Sequence, residues 1–569
     1  MKTIKYIILT TVLALFATGC SLKEESFSEM DSNKMETIEE AQSVLLGVYK
    51  NMTNQEIYGY YLSMLFTLPT DQAKVEGSSI DSWRRIASNA YTSSAAEVQE
   101  TWQALYAAIY SANNFIEKLS LKVENFNEAD KRKAAVYMAE ARGLRALYYF
   151  ELVRWFGARC NNQKEGGIVL IKSTAQSYQH PSTFTQATAT EVYEFIEQDL
   201  KYAISVLPYA NEDRYRTNNA YRLSKGSVLG LLTKVYATWA GYPVQDESKW
   251  ELAAKTAKTL IDSGQHGLLE DYNDLWIKTA NGEWDPKESL IEVSFYSPTK
   301  TGNRFEDASG KIGKWNGVDI NKALKANCNS NSGRWRVLPP FLEKWRNTFD
   351  DETVDKRWAI SFADYRYKAE GKTPISKLTF EEAMEQSDKR KEFNNGIFPG
   401  KWDIIKYANP GNMLNDANDS NTNWYLLRYA DVLLLYAEAL NEWHKSPTKE
   451  AYDAVNLVRR RGYGEPLGSY SKEVDLAEGM SYSEFQKAVR DERSHELAFE
   501  GHRRQDLTRW GIYTQSIARA YNEMSMWDGD EGTKVYKAAE YTIEGKHELL
   551  PIPLRDLDLM TGCTQNPNW

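Results

Sequence analysis

The sequence predicts an all-α protein: helical hairpins interrupted by a long irregular middle. Apolar residues recur at i, i+3, i+4 and i+7 over most of the chain, the spacing of an amphipathic helix. These stretches come in pairs separated by short breaks, and consecutive helices with short connections pack as antiparallel hairpins. From about Gly264 to Asn423 the periodicity fails in a stretch rich in Gly, Asn and Ser. The chain has 569 residues, 42% hydrophobic and 12% aromatic, which rules out wholesale disorder and allows several domains or one fused globule.

The elements follow in order. Lys2 and Lys5 precede an apolar run from Ile7 to Phe16, too short to span a bilayer and so a secretory h-region. Thr18-Gly19-Cys20 resembles a bacterial lipobox, with Ala17 where Leu is usual, in which cleavage leaves Cys20 as a lipidated N-terminus. The alternative is an ordinary signal peptide with an incidental cysteine. Ser21 to Glu25 is polar and acidic; it resembles the surface-export signal of Bacteroidota lipoproteins, and a plain solvated linker explains it equally. Residues 1–19 are thus expected to be removed, and 20–36 to form the tether.

Helices are expected over Thr37–Asn51, Ala95–Leu119, Glu128–Trp155, Thr190–Leu207, Lys225–Trp239 and Lys249–Ile261, all within a helical region 37–270. They return at Tyr425–Trp443, Thr448–Arg461 and Ser483–Phe499, in a second region 425–569. The pair Tyr425–Arg461 has about the length of a tetratricopeptide unit, with Pro447 at the break and Ala430, Ala437 and Ala439 allowing close approach. Lys225–Ile261 has the same shape, and a generic helical domain is the alternative. Region 271–424 is expected to be loop-rich. Trp276, Trp284, Trp315, Trp335 and Trp345 fall in or beside its Gly-punctuated part, where aromatics are harder to explain as core than on a helix.

A net charge of −10 argues against a dedicated polyanion binder such as a nucleic-acid protein. Four cysteines without a CxxC pair exclude a disulfide framework or zinc ribbon. His495-Glu496-Leu497-Ala498-Phe499 opens like a zinc-protease helix, but Phe499 stands where the second histidine ligand belongs. Gly371-Lys372-Thr373 lacks the earlier glycine of a phosphate loop, where Arg366 stands, and Asn415–Asp419 lacks the closing glutamate of a calcium loop, where Leu427 stands. Glu492, Glu496 and Glu500 fall on one helix face near Arg490, Arg493, Arg503 and Arg504. Paired carboxylates serve glycosidases, yet neighbouring arginines hold carboxylates ionised, which is wrong for a general acid. A structural ion-pair network is the preferred reading.

The same residues carry a family resemblance. Leu427-Arg428-Tyr429-Ala430-Asp431 through Ala439, Ala454 to Arg461, Arg490 to Arg493 with Glu496 to Gly501 and Arg503 to Gly511, and the ending Leu550-Pro551-Ile552-Pro553 with Gln565-Asn566-Pro567 all resemble the signature of SusD/RagB outer-membrane lipoproteins. Ala139 to Phe150 and Phe156-Gly157 resemble that family's first long helix, with Gly143 in a place usually held by a bulky residue. The matches run in order along nearly the whole chain.

The resemblance implies four tetratricopeptide-like hairpins supporting an irregular, loop-rich ligand-binding face, on a lipoprotein anchored through Cys20 at the outer cell surface. It implies a lid over a SusC-like TonB-dependent transporter, a glycan as ligand, and neither catalysis nor a cofactor. Peptide or another non-sugar nutrient is the alternative ligand, and an all-helical glycosidase a more distant reading. In the family, ligand is held by aromatics from the segment after the first helix and from the middle loops; those segments here offer Asp71, Trp83 and Tyr91, then Tyr296, Trp315, Arg334 and Trp335. For each tryptophan, packing onto its own loop is the competing explanation. Arg428, Asp431, Glu438 and Glu496 lie in nearly apolar surroundings, where a charge survives only if paired, and are expected to be buried and structural.

Overall fold

The computed structural model describes residues 35–212, 221–295, 310–320, 333–348, 354–367, 383, 386–412 and 419–569. Cys20 and Tyr296 lie outside them. The first helices are α1 (Ile38–Lys50), α2 (Ala96–Lys122), α3 (Glu128–Phe156), α4 (Ala189–Val206), α5 (Lys225–Ala240) and α6 (Lys249–Asp262). In the middle come α7 (Tyr272–Asn281), α8 (Pro339–Arg346) and α9 (Ser387–Gly396). The last are α10 (Tyr429–His444), α11 (Lys449–Tyr463), α12 (Tyr482–Glu496), α13 (Arg503–Arg509) and α14 (Tyr513–Lys534).

Local chemistry sets where several helices begin. At α1, Thr37 Oγ1 accepts the Glu40 N–H and the Glu40 carboxylate accepts the Thr37 N–H, both at 3.2 Å, so two otherwise orphaned donors are satisfied reciprocally. Thr188 with Glu191 does the same at α4, and Ser481 with Glu484 at α12. The helices then stack in sequence: α2 on α3, α3 on α4, α4 on α5, α5 on α6, α6 on α10, and α10 on α11 and α12. The expected pairs α5–α6 and α10–α11 are therefore neighbours, and Ala430, Ala437 and Ala439 are wholly buried where α10 meets its partners.

Three two-stranded antiparallel ribbons tie distant segments together: β1 (Ala73–Val75) with β3 (Trp335–Val337), β2 (Ser289–Val293) with β6 (Trp424–Arg428), and β4 (Phe362–Ala363) with β5 (Phe398–Pro399). β6 corrects the sequence reading, which began a helix at Tyr425. The run Trp424-Tyr425-Leu426-Leu427 is apolar throughout, and periodicity cannot assign such a run; pairing with β2 makes it a strand, and α10 starts only at Tyr429.

Three further expectations are corrected. α12 stops at Glu496, and the chain turns through Phe499 (φ 64°) and Gly501 (φ 81°), so Glu500 is not on the face of Glu492 and Glu496. The middle region is less irregular than expected, since α7 and α8 lie within it. Trp276, Trp335 and Trp345 are core residues, exposed by 0%, 3% and 0%: Trp276 packs on Trp402 and Tyr425, and Trp345 on Phe362 and His495.

The signature charges form a buried lattice. Arg428 meets Glu288 at 2.7 Å, Glu496 at 3.0 Å and Glu500 at 2.8 Å. Arg461 meets Glu288 at 2.9 Å and Glu496 at 2.6 Å, and Arg357 meets Asp355, Glu492 and Glu496 at 2.7, 2.6 and 3.0 Å. Lys401 meets Glu500 at 2.9 Å. A second set joins Arg493 to Asp431 and Asp506, Lys234 to Asp431, and Arg509 to Glu438. The network reading of the glutamates holds, but their partners are Arg357, Arg428, Arg459, Arg461 and Lys401 rather than the neighbouring Arg490, Arg493, Arg503 and Arg504. Burial favours the neutral Glu496 carboxyl, yet Arg461, Arg428, Arg357 and Lys401 outweigh it and hold the group at about 2, far from what a general acid needs.

Candidate ligand-binding site

The β1–β3 ribbon brings the segment after α1 against the middle of the chain. Its register pairs Ala73 with Val337, Lys74 with Arg336 and Val75 with Trp335, and the Glu76 N–H extends it to the Arg334 carbonyl at 2.9 Å. A loop from Gly310 to Gly317 lies alongside. The Trp315 carbonyl accepts the N–H groups of Arg334 (2.6 Å) and Trp335 (3.2 Å), and the Lys311 N–H reaches the Gly59 carbonyl at 3.0 Å. Glycine is required here: Gly313 has φ 81°, and a Cβ on Gly317 would lie 2.3 Å from the Gly313 oxygen and 2.6 Å from that of Trp402.

This scaffold assembles an aromatic cluster. Trp315 sits edge-to-face between Tyr60, with ring centroids 4.8 Å apart, and Trp83, at 4.9 Å. Tyr61 adjoins Tyr60 at 5.5 Å. Trp83 rides on a 3₁₀ turn, Ser82–Ser88. Both tryptophans are partly open to solvent, whereas Tyr60 and Tyr61 are 5% and 7% exposed. Burial, reinforced by Tyr61 and Glu97, pushes the Tyr60 phenol well above its ordinary range, so it stays a protonated donor.

Cations surround the rings. The Arg84 guanidinium lies 4.8 Å from the Trp83 centroid, Arg334 5.9 Å from that of Trp315, and Lys311 5.7 Å from the same ring, within cation–π range. Glu76 pairs with Arg84 at 2.8 Å, with Arg336 at 3.5 Å, and with Arg334.

Of the residues the sequence singled out, Trp83, Trp315 and Arg334 are brought together. Trp335 is adjacent through its backbone, but its side chain is buried in β3. Asp71 accepts two hydrogen bonds from Arg503, at 2.8 and 2.7 Å, and pairs with Arg519 at 3.4 Å. Burial disfavours its charge, but these arginines and Lys344 still hold its carboxyl below the usual range. Tyr91 is 6% exposed and stacked on Trp569 at 5.3 Å, with Phe66 and His547 edge-on; it belongs to the packing around the C-terminus. Sequence reasoning missed Tyr60, Arg84 and Lys311. The run Tyr58-Gly59-Tyr60-Tyr61, a short way beyond α1, was an available signal for Tyr60. A cavity of about 270 Å³ walled by Trp102, Tyr106, Tyr110 and Phe184, and one of about 610 Å³ beside Trp358 and Tyr463, share no lining residue with the cluster.

The chain is thus a mostly helical protein of stacked hairpins that carries a partly open, cation-rimmed aromatic cluster. Comparison with known proteins supplies the family. Residues 288–569 match the SusD family, and residues 23–237 match the family described as "Starch-binding associating with outer membrane". A SusD homolog of known crystal structure from Bacteroides thetaiotaomicron is 49% identical, with 95% of this chain and 99% of that chain covered and a TM-score of 0.87. SusD-like protein P2 of Formosa agariphila is 27% identical over 89% of this chain and 90% of its own length. Surface glycan-binding protein A of Bacteroides thetaiotaomicron, solved in complex with laminarihexaose, shares the fold at 17% identity and a TM-score of 0.64, with 93% and 99% of the two chains covered. The chain belongs to the SusD/RagB family.

Proposed function

We propose that this protein is a surface lipoprotein that captures glycan on the Trp83–Trp315–Tyr60 platform and delivers it to a SusC-like TonB-dependent outer-membrane transporter, without chemical turnover. The observation that carries the reading is the pair of partly open tryptophans, 4.9 Å apart and flanked by guanidinium groups. Sugar rings present C–H faces that pack on aromatic planes, while their hydroxyls need forked donors such as Arg. The laminarihexaose complex of a protein with the same fold, and the family description naming starch and the outer membrane, support it.

Stacking on an aromatic side chain is worth about 1–3 kcal/mol where it has been measured for bases, and the same scale is taken for sugar rings. Trp315→Ala and Trp83→Ala are each expected to weaken glycan binding by roughly 5- to 150-fold, with little change in melting temperature. Titration calorimetry on the oligosaccharide that the parent binds reads this out. If both variants bind like the parent, the platform is not the site.

Among the described residues no helix is long and apolar enough to cross a membrane, and the anchor proposed is lipid on Cys20. Gentle detergent extraction of membranes should recover the parent together with a large barrel, while Cys20→Ala should move to the soluble fraction. A Cys20→Ala variant that stays with the membrane, or a parent repeatedly recovered alone with the barrel expressed, would count against anchoring and partnership respectively.

A further inference from the structure

We propose that Glu76 is the positioning residue of the platform: by holding Arg84 and Arg334 on one carboxylate, it fixes the angle at which Trp83 meets Trp315. The proposal rests on the glycan-binding reading above for its consequence and deepens it by naming what sets the shape of that surface. The β1–β3 register puts Val75 opposite Trp335. Glu76, one step on, stands opposite Arg334 and donates its N–H to the Arg334 carbonyl at 2.9 Å. Side chains two apart share a face of a ribbon, where opposite and diagonal neighbours meet. Arg334 is thus the opposite neighbour of Glu76 and Arg336 the diagonal one, and the carboxylate pairs with both, with Arg336 at 3.5 Å. Its Oε1 also takes Arg84 at 2.8 Å, from the turn that carries Trp83.

Both guanidiniums on that oxygen lie over a platform ring. Arg84 Cζ is 4.8 Å from the Trp83 centroid, and Arg334 Cζ is 5.9 Å from that of Trp315. One oxygen therefore ties together the two cations that cap the two indoles, whose centroids are 4.9 Å apart with planes at 71°. The Trp83 turn is anchored at its far end by buried Ile86, Ala87 and Ser88 and by Arg85 on Glu97 at 2.8 Å. Residues 77–82, which lead into Trp83, are all exposed, and the Glu76–Arg84 pair bridges them. Trp315 is held from the other side, through its carbonyl on the N–H groups of Arg334 and Trp335. Without the carboxylate charge, the two guanidiniums that share one oxygen would repel each other. Arg84 has a second carboxylate to move to, Asp81 at 3.4 Å on the exposed side of the turn, and that move would carry the cap off Trp83.

The test reads the two indoles directly and needs no ligand. Closely spaced, angled indoles give an exciton couplet in far-ultraviolet circular dichroism. Subtracting the spectrum of the matching Trp83→Phe protein isolates the part due to Trp83, because the buried pairs Trp276–Trp402 and Trp402–Trp424 are common to both. Glu76→Gln keeps the shape and removes the charge; it should lose most of the Trp83 couplet with little change in melting temperature. Glu76→Gln combined with Arg334→Gln should regain part of it, since one of the two repelling cations is gone, a coupling that a merely structural glutamate would not show. Arg84→Gln leaves Glu76 paired with Arg334 and Arg336 and should lose the couplet as well, an independent check should Glu76→Gln fold poorly. A parent-like couplet in Glu76→Gln or in Arg84→Gln, or a double variant no better than Glu76→Gln, would overturn the proposal. On the oligosaccharide that the parent binds, Glu76→Gln should weaken affinity about tenfold. If the couplet follows this order while Trp83→Ala and Trp315→Ala bind glycan like the parent, the positioning stands and the glycan-binding reading falls. If the couplet is indifferent to Glu76 while both tryptophan variants lose glycan, that reading stands and this inference falls.

Discussion

Arg428→Ala is expected to cost about 3–5 kcal/mol of folding stability, the range for removing one partner of a buried ion pair. The reason lies in what would be left behind. Arg428 and its three carboxylate partners, Glu288, Glu496 and Glu500, have side chains with no solvent exposure. Removing the guanidinium leaves Arg461 as the ion-pair partner of Glu288 and Lys401 as that of Glu500. Arg428→Lys would keep the charge but lose the fork, since an ammonium cannot meet three carboxylates in one plane; it should fall between parent and Ala. Arg461→Ala shares Glu288 and Glu496 with Arg428, so the two substitutions should be clearly non-additive. Equilibrium denaturation of the two singles and the double reads this directly. Unchanged melting for Arg428→Ala would mean that the lattice is solvated.

The hairpin scaffold was legible because its helices are amphipathic; the capping pairs Thr37 with Glu40, Thr188 with Glu191 and Ser481 with Glu484 then fix where three of them begin. What escaped depends on partners far away in sequence. Trp424–Leu427 is a strand only because Ser289–Val293 lies beside it, and nothing within the run itself decides between strand and helix. α14 was missed for the opposite reason. Tyr513–Lys534 is polar over much of its length, carries Asp528-Gly529-Asp530-Glu531-Gly532 near its end, and is broken at Asp528 and Gly529, so its apolar stripe (Ile517, Ala520, Met524) is thin.

At the platform, a polar, Gly-rich context coincides with partial exposure for Trp83 and Trp315 and with burial for Trp335. Arg334, whose guanidinium is partly open, is directly followed by Trp335, whose indole is buried, and alternation along a paired segment sets that difference. Turn composition says where the chain bends; it does not say which side of the ribbon is covered. Asp71 illustrates the same limit, because its partners Arg503 and Arg519 belong to the far end of the chain. Only the fold, through the bond from the Lys311 N–H to the Gly59 carbonyl, brings Lys311 to the tyrosine run at 58–61.

Acid should unfold this protein in two stages, imidazoles first. His495 is 8% exposed and lies flat against Trp345, with ring centroids 4.4 Å apart and planes 6° from parallel. Burial pushes its imidazole down to about 3; Glu492 opposes this, and Arg357, Arg459 and Arg503 add to it. His547 is likewise held at about 3 by burial and then by Arg504 and Lys546. The unfolded chain takes up these protons near pH 6.5 and the folded protein refuses them until about pH 3, so stability falls as pH drops through that window. A displacement of this size is worth on the order of 4–5 kcal/mol for each histidine. Glu496 acts later. Its folded value of about 2 lies below the unfolded 4.5, so its stabilisation is complete above pH 4.5 and is lost as pH falls toward 2. Denaturation midpoints measured from pH 7 to 3 should therefore decline before Glu496 titrates, by less than the histidines alone would give, because burial raises the Glu292 carboxyl to about 7 and its protonation favours the folded state over the same range. His495→Gln should flatten the decline between about pH 6.5 and 4.5 while leaving the steeper loss below it, and His547→Gln should flatten it further. The readout is the slope, so a constant offset from altered packing does not confuse it. Parent-like slopes in both variants would show that these histidines accept protons in the folded protein.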